Sequence, residues 1–402
     1  MHVLSVSGRV ASASQAIALL AGLSLASFAG AQITPAQPIG AGHNHAPSAT
    51  RLIIPGKTIL AGLPDGAFTP METQTVWKPV CSNRAPMTVA DLETMVSTHE
   101  ADFADPSKVI IVDRKTTGGT TPRVGLDVVF VLGGSVPAAA IPAFAAAEAY
   151  LESQFTADTM TVTVPVSFAS LGAGIIGGTG SSYGTASWAS SRSLLVGGMD
   201  GTDTIHTSLP SGTTIPVRYS TGSTTNENRV FWTFANWKAN GGTIAGNDAS
   251  MQYSTNFPFD YDPSNGVTVN TISLQDVIIH ETGHALGCTS GVDFRVNDIE
   301  AMDIFRFRRT DGASDFNPDT AAEFTARPRW CVFNNPNDDV NFDDITSEIR
   351  FSDGSPWQAS HWREQVPAIG IMDPAFSYGE TFYPNFLRTT DITLFDALGY
   401  DK

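Results

Sequence analysis

In the stretch DVIIHETGHALGCTSGVD (276–293), His280 and His284 stand four residues apart, with Glu281 beside the first. On a helix of 3.6 residues per turn the two imidazoles project from one face, roughly 6 Å apart along the axis, which suits two ligands on one zinc ion. Glu281 is rotated away from His280, so it is no simple third ligand, but it can reach a water held by the metal. Zinc lowers the pKa of bound water from about 15.7 to about 7, and a neighbouring carboxylate can take the proton during attack on a carbonyl. The chemistry on offer is metal-assisted hydrolysis with Glu281 as general base. A catalytic zinc takes three protein ligands and leaves a position open. In the commonest extended pattern the third is a histidine at position 290, where this sequence has Ser290.

A helix must hold the pair, and the sequence supplies its ends. Ser273 is a capping residue, and Asp276 three positions on makes a capping-box-like pair with aspartate in place of the usual Glu or Gln. The expected helix runs 274–286 and stops at Gly287, which frees the chain to turn below the metal and bring a ligand from farther away. Upstream, VGLDVVFVL (124–132) is rich in β-branched residues and reads as a strand. An Ala-rich helix (141–154), an alternating strand TMTVTVPVSF (159–168) and a strand at 249–258 follow. GAGIIG (172–177) matches a dinucleotide fingerprint, but turn-forming GTGSSYG follows instead of a helix, so these glycines are expected in a flexible surface loop. Residues 390–398 read as a closing helix stopped by Gly399.

Arg9, an apolar stretch at 16–28 and the small residues Ala29-Gly30-Ala31 give residues 1–31 the pattern of a secretory signal peptide. The apolar run falls short of the roughly 20 residues of a spanning helix, so the mature chain is expected to be secreted without a membrane anchor. Residues 32–122 are Pro/Gly/Thr-rich with one helix-like segment at 88–100, and read as an N-terminal extension or prosegment. The net charge of −17 argues against a nucleic-acid partner, which would need clustered Lys and Arg. Of the three cysteines, Cys288 and Cys331 are the candidate disulfide and Cys81 the remaining thiol, with shielding of a zinc in a latent precursor as its less favoured role.

HETGHALG (280–287), taken with the distant SHWRE (360–364) and GIMDP (370–374), resembles the leishmanolysin-like branch of the metzincin zinc peptidases. In that branch the third histidine is displaced by an insertion and precedes a methionine-containing turn. The resemblance implies His361 as third metal ligand and Met372 as the residue beneath the site. It covers about 123–402 and is loose away from the two motifs; no family latency motif surrounds Cys81. The other histidines are poorly placed: His2 lies in the signal, His43 and His45 in a Gly/Pro-rich stretch and His99 in the leader, while His206 reads as a surface residue. Glu300 is the rival third ligand, since a carboxylate completes the site in another zinc-peptidase group.

The expected fold is α+β and metzincin-like. Residues 123–287 form an N-terminal subdomain with a twisted mixed sheet and two helices, 288–402 an irregular C-terminal subdomain, and zinc lies in the cleft between. The expected activity is secreted zinc-dependent endopeptide hydrolysis, with a protein or peptide substrate aligned by an edge strand near 251–256. Tyr378 is a candidate oxyanion donor. The acidic run at 337–344 offers oxygen ligands for calcium, a solvated acidic loop being the simpler reading. A zinc hydrolase of a non-protein amide and a noncatalytic zinc-containing binding protein are the alternatives.

Overall fold

The computed structural model describes residues 69–70, 76–81, 89–113, 125–172, 174–201, 204–293, 298–308, 320–334, 339–340 and 349–402; for 69–94, 96 and 339–340 this is limited to backbone. The signal segment 1–31, the loop at 116–122, the Cys81 side chain and the acidic side chains of 337–344 lie outside the described residues. No helix among the described residues is long and apolar enough to cross a membrane.

Elements alternate along the chain as β1 (Val76–Cys81), α1 (Val89–Asp102), β2 (Ile110–Val112), β3 (Gly125–Leu132), α2 (Ile141–Gln154), β4 (Thr159–Ala169) and β5 (Ile175–Ser181). Then come β6 (Tyr183–Ser187), α3 (Trp188–Gly198), β7 (Ile215–Ser220), β8 (Ser223–Glu227), β9 (Arg229–Thr233), α4 (Phe234–Ala239), β10 (Ala249–Ser254) and α5 (Leu274–Ala285). Among the described residues the C-terminal part holds two further α-helices, α6 (Ala321–Ala326) and α7 (Thr389–Ala397). The architecture is α+β with mixed sheets. The described residues of 125–287 carry four α-helices, not two: α3 and α4 start at Ser187 and Thr233, whose hydroxyls cap them, at the ends of strands that local periodicity did not reveal.

The central sheet has the order β1-β5-β10-β4-β3-β2. β3, β4 and β10 are parallel, while β5, β1 and β2 add antiparallel pairs. One expectation fails here. The strand at Ala249–Ser254 is central, hydrogen-bonded to β4 and β5 on its two sides, because pairing partners far along the chain decide edge or centre. Leader strands form both edges, β1 along β5 and β2 along β3, so the boundary drawn at 123 runs through the sheet.

One face of the sheet carries α2, through Ala143, Phe144, Ala147 and Leu151, and α5, which is buried along its whole length. Phe144 meets Phe130 and Tyr253 edge-on, joining α2 to β3 and β10 in the main core. The other face receives α1. Ser167 and Gln252 are paired across β4 and β10, and strand alternation points them away from Tyr253 and Phe168. There the His99 ring hydrogen-bonds Ser167 Oγ at 2.7 Å, and Gln252 donates to Thr98 Oγ1 at 3.0 Å. His206, expected at the surface, is fully buried with Nε2 2.8 Å from the Ala397 carbonyl, because the turn-rich segment around it is packed under α7.

The glycine stretch that looked like a surface loop is the buried strand β5. Gly177 serves close packing: a Cβ on it would lie 3.2 Å from Tyr253 and 3.3 Å from Glu281 Oε1. Cys288 and Cys331 are buried thiols that do not bond each other. Cys288 Sγ instead lies 3.4 Å from the Ser360 carbonyl oxygen and 3.7 Å from Met302 Sδ, so the site it fills is a packed one with its own partners.

Candidate metal centre

Helix α5 begins where Ser273 Oγ accepts the Asp276 amide at 3.4 Å. Only half of a capping box forms, because the Asp276 carboxylate turns to the Phe382 amide (2.6 Å) and the Thr381 hydroxyl (2.9 Å), tying the C-terminal segment to the helix start. At the other end Gly287 takes φ +112°, a left-handed conformation that favours glycine, and the Cys288 amide returns to the Gly283 carbonyl at 3.0 Å. That turn places the Cys288 carbonyl 2.7 Å from His284 Nδ1.

Each of the three histidines is oriented in the same way. His280 Nδ1 faces the Ile371 carbonyl at 2.6 Å, His284 Nδ1 that of Cys288, and His361 Nδ1 that of Gln358 at 3.2 Å. A carbonyl oxygen only accepts, so each Nδ1 carries the proton and each Nε2 lone pair is left for another partner. His361 Nε2 lies 3.2 Å from His284 Nε2 and 3.3 Å from His280 Nε2. Three nitrogens bound tetrahedrally at about 2.0–2.1 Å would stand about 3.3–3.4 Å apart, so the donors fit one metal ion. Burial holds the His280 ring down at about 4, so it is neutral and a competent ligand at pH 7. Among the described residues His280, His284 and His361 form one buried group able to hold a metal ion.

Glu300 is not in that group. It caps the short 301–305 turn, takes part in a capping box with Asp303, and its Oε2 lies 3.3 Å from the Tyr183 hydroxyl. Met372 sits beneath α5 between the two helical histidines: a Cβ on Gly283 would overlap its Sδ. From the same turn Phe376, not Tyr378, packs on His280, with ring centroids 5.5 Å apart; Tyr378 is 56% exposed.

Several residues that hold the site drew no attention in the sequence. The segment carrying His361 is a hairpin in which Phe351 pairs with Trp362 and their rings stack 5.0 Å apart. Arg306, fully buried, donates Nη1 to the Ser352 carbonyl (2.8 Å), Nη2 to the Ala359 carbonyl (2.7 Å) and Nε to Asp303 (3.1 Å). Asp303 also accepts the Ser290 hydroxyl at 2.7 Å and the Gly291 amide at 2.8 Å, so Ser290, standing where a direct third ligand would be, is bonded into the network that carries the displaced one. Asp293 accepts the amides of Ala359 and Ser360 from the other side. Asp391 on α7 receives Trp362 Nε1 and the Ile371 amide, both at 2.8 Å, and burial pushes its carboxyl up to about 6. The available signal was charge inside apolar sequence, as in AMDIFRF (301–307), where Asp303 and Arg306 are one helical turn apart.

Comparison of the chain with protein-family models, curated proteins and solved structures found no match.

Proposed function

We propose that the protein is a secreted zinc-dependent endopeptidase with a metzincin-like fold of the leishmanolysin-like kind. The observation that carries this reading is the convergence of three similarly oriented imidazoles, with His361 Nε2 3.2 and 3.3 Å from those of His284 and His280, the latter two on a helix that also bears Glu281. His280, His284 and His361 would hold the zinc as neutral ligands. When bound, zinc supplies Lewis-acid polarisation and a water acidic enough to lose its proton near pH 7. Glu281 takes that proton and delivers it to the leaving amine, and Met372 supports the ligand helix from below.

The side of β5 that leader strand β1 covers, and not β10, is where an extended peptide would align, because β5 runs against α5 and its other side is paired with β10. Substrate binding there requires β1 to leave. One observation favours a second reading, a zinc site with a purely structural role: His280, Glu281 and His284 are 0% exposed and His361 1%. A purely structural site gives the Glu281 carboxylate beside the ligands no chemical task, whereas a hydrolytic site does.

The test is cleavage of an unfolded protein by zinc-loaded chain with residues up to about 122 removed, against Glu281→Ala of equal zinc content. Cleavage by the parent alone supports the peptidase. Inactivity of both with zinc bound favours the structural site, and cleavage of small amides but not peptides favours a different hydrolase.

A further inference from the structure

Alternate residues of β5 face helix α5, and their side chains fall in a graded series. Gly177 leaves room for the Glu281 carboxylate, Thr179 meets it, and Ser181 donates to the His284 carbonyl at 3.1 Å. The ladder supports this assignment, since Gly177, Thr179 and Ser181 pair with Tyr253, Met251 and Ala249, of which Tyr253 packs toward α2. Thr179 Oγ1 lies 2.5 Å from Glu281 Oε2 and 2.9 Å from the Glu281 backbone carbonyl. A hydroxyl has one proton to give. The shorter distance is to the carboxyl oxygen, which is the better placed of the two acceptors.

We propose that Thr179 is a positioning residue for Glu281: its hydroxyl grips Oε2 and so fixes the direction in which the carboxylate presents Oε1. The proposal rests on the peptidase reading for its consequence, but the contact itself belongs to the two side chains. Both are fully buried, so bulk water does not compete for the carboxylate. Gly177 is a glycine where the helix carrying the carboxylate approaches the strand carrying its donor. Gly178 and Gly180, on the other face, do not enter this contact.

A rival role is packing alone, in which Thr179 serves the helix backbone through the Glu281 carbonyl. The two roles separate in a cycle of variants. The full chain is loaded with cobalt, whose visible spectrum reports ligand geometry, and titrated with acetohydroxamate, a small chelator whose hydroxyl must meet the Glu281 carboxylate. Thr179→Val is expected to weaken acetohydroxamate binding on the order of ten-fold, with the cobalt spectrum and metal content unchanged. Thr179→Ser is expected to restore it, and Thr179→Val in a Glu281→Ala background to add nothing. In peptide assays on the chain freed of residues up to about 122, kcat is expected to fall by a similar factor with KM little changed.

An equal loss in the Glu281→Ala background, no loss in the parent background, or failure of serine to restore binding would each overturn the proposal. Thr179→Ala replaces the valine variant if that one does not fold. If no form freed of its leader cleaves peptides while the hydroxamate pattern holds, the peptidase reading falls and the role of Thr179 stands.

Discussion

Replacing Arg306 by methionine keeps much of the side chain's apolar bulk and removes its three donors. In the folded chain those donors hold the Ser352 and Ala359 carbonyls at 2.8 and 2.7 Å and Asp303 at 3.1 Å, with both charged partners fully buried. Breaking a buried ion pair from one side costs about 3–5 kcal/mol. Asp303 would retain the Ser290 hydroxyl and the amides of Gly291 and Glu300, which argues for the lower half of that range. The two orphaned carbonyls belong to the hairpin that ends in His361, so the variant should lose metal affinity as well as stability, by roughly 10–100-fold as for other outer supports of a metal ligand. Urea unfolding with and without zinc gives the first quantity, and zinc titration against a chromophoric chelator gives the second. A variant whose unfolding free energy drops by about 3 kcal/mol while its zinc affinity is unchanged would refute the idea that this network positions His361.

Three more outcomes are expected. Burial holds His99 down at about 4. Between about pH 6.5 and 4 the unfolded chain therefore takes up a proton that the folded chain refuses, so this contribution is intact above about 6.5 and stability falls on acidification, by up to about 3 kcal/mol at pH 4. His99→Gln should flatten the pH dependence of unfolding over that window, and an unaltered slope would contradict it. Gly283→Ala should displace Met372 and lower zinc affinity while helix content by circular dichroism stays the same; full affinity would show that the close approach is incidental. Cutting the chain between 113 and 125 and separating the leader should raise peptide cleavage, because β1 then vacates the β5 edge; equal activity of cut and uncut chain would count against the leader as a block.

How much of this could be read beforehand varies with the range of the interaction. Helix α5 was legible because its cap, its ligand spacing and its terminal glycine are all local, and β3, α2 and β4 because their periodicities are. The glycines of β5 misled, since what Gly177 makes room for is Glu281, about a hundred residues away. Edge and centre were exchanged for β10 because strand order is set by partners distant in sequence, and the same distance hid the burial of His206. His361 came from resemblance and the exclusion of other histidines. What holds it, Asp293, Asp303 and Arg306, showed only as charges among apolar residues. A pairing of Cys288 with Cys331 was inferred from shared neighbourhood, which does not specify geometry.

The central claim is that a ligand absent at Ser290 is supplied by His361, and zinc binding to single variants tests it most directly. Parent protein and Glu300→Ala are predicted to retain one tightly bound zinc per chain, while His361→Ala loses tight binding. Tight stoichiometric zinc in His361→Ala together with its loss in Glu300→Ala would contradict the account.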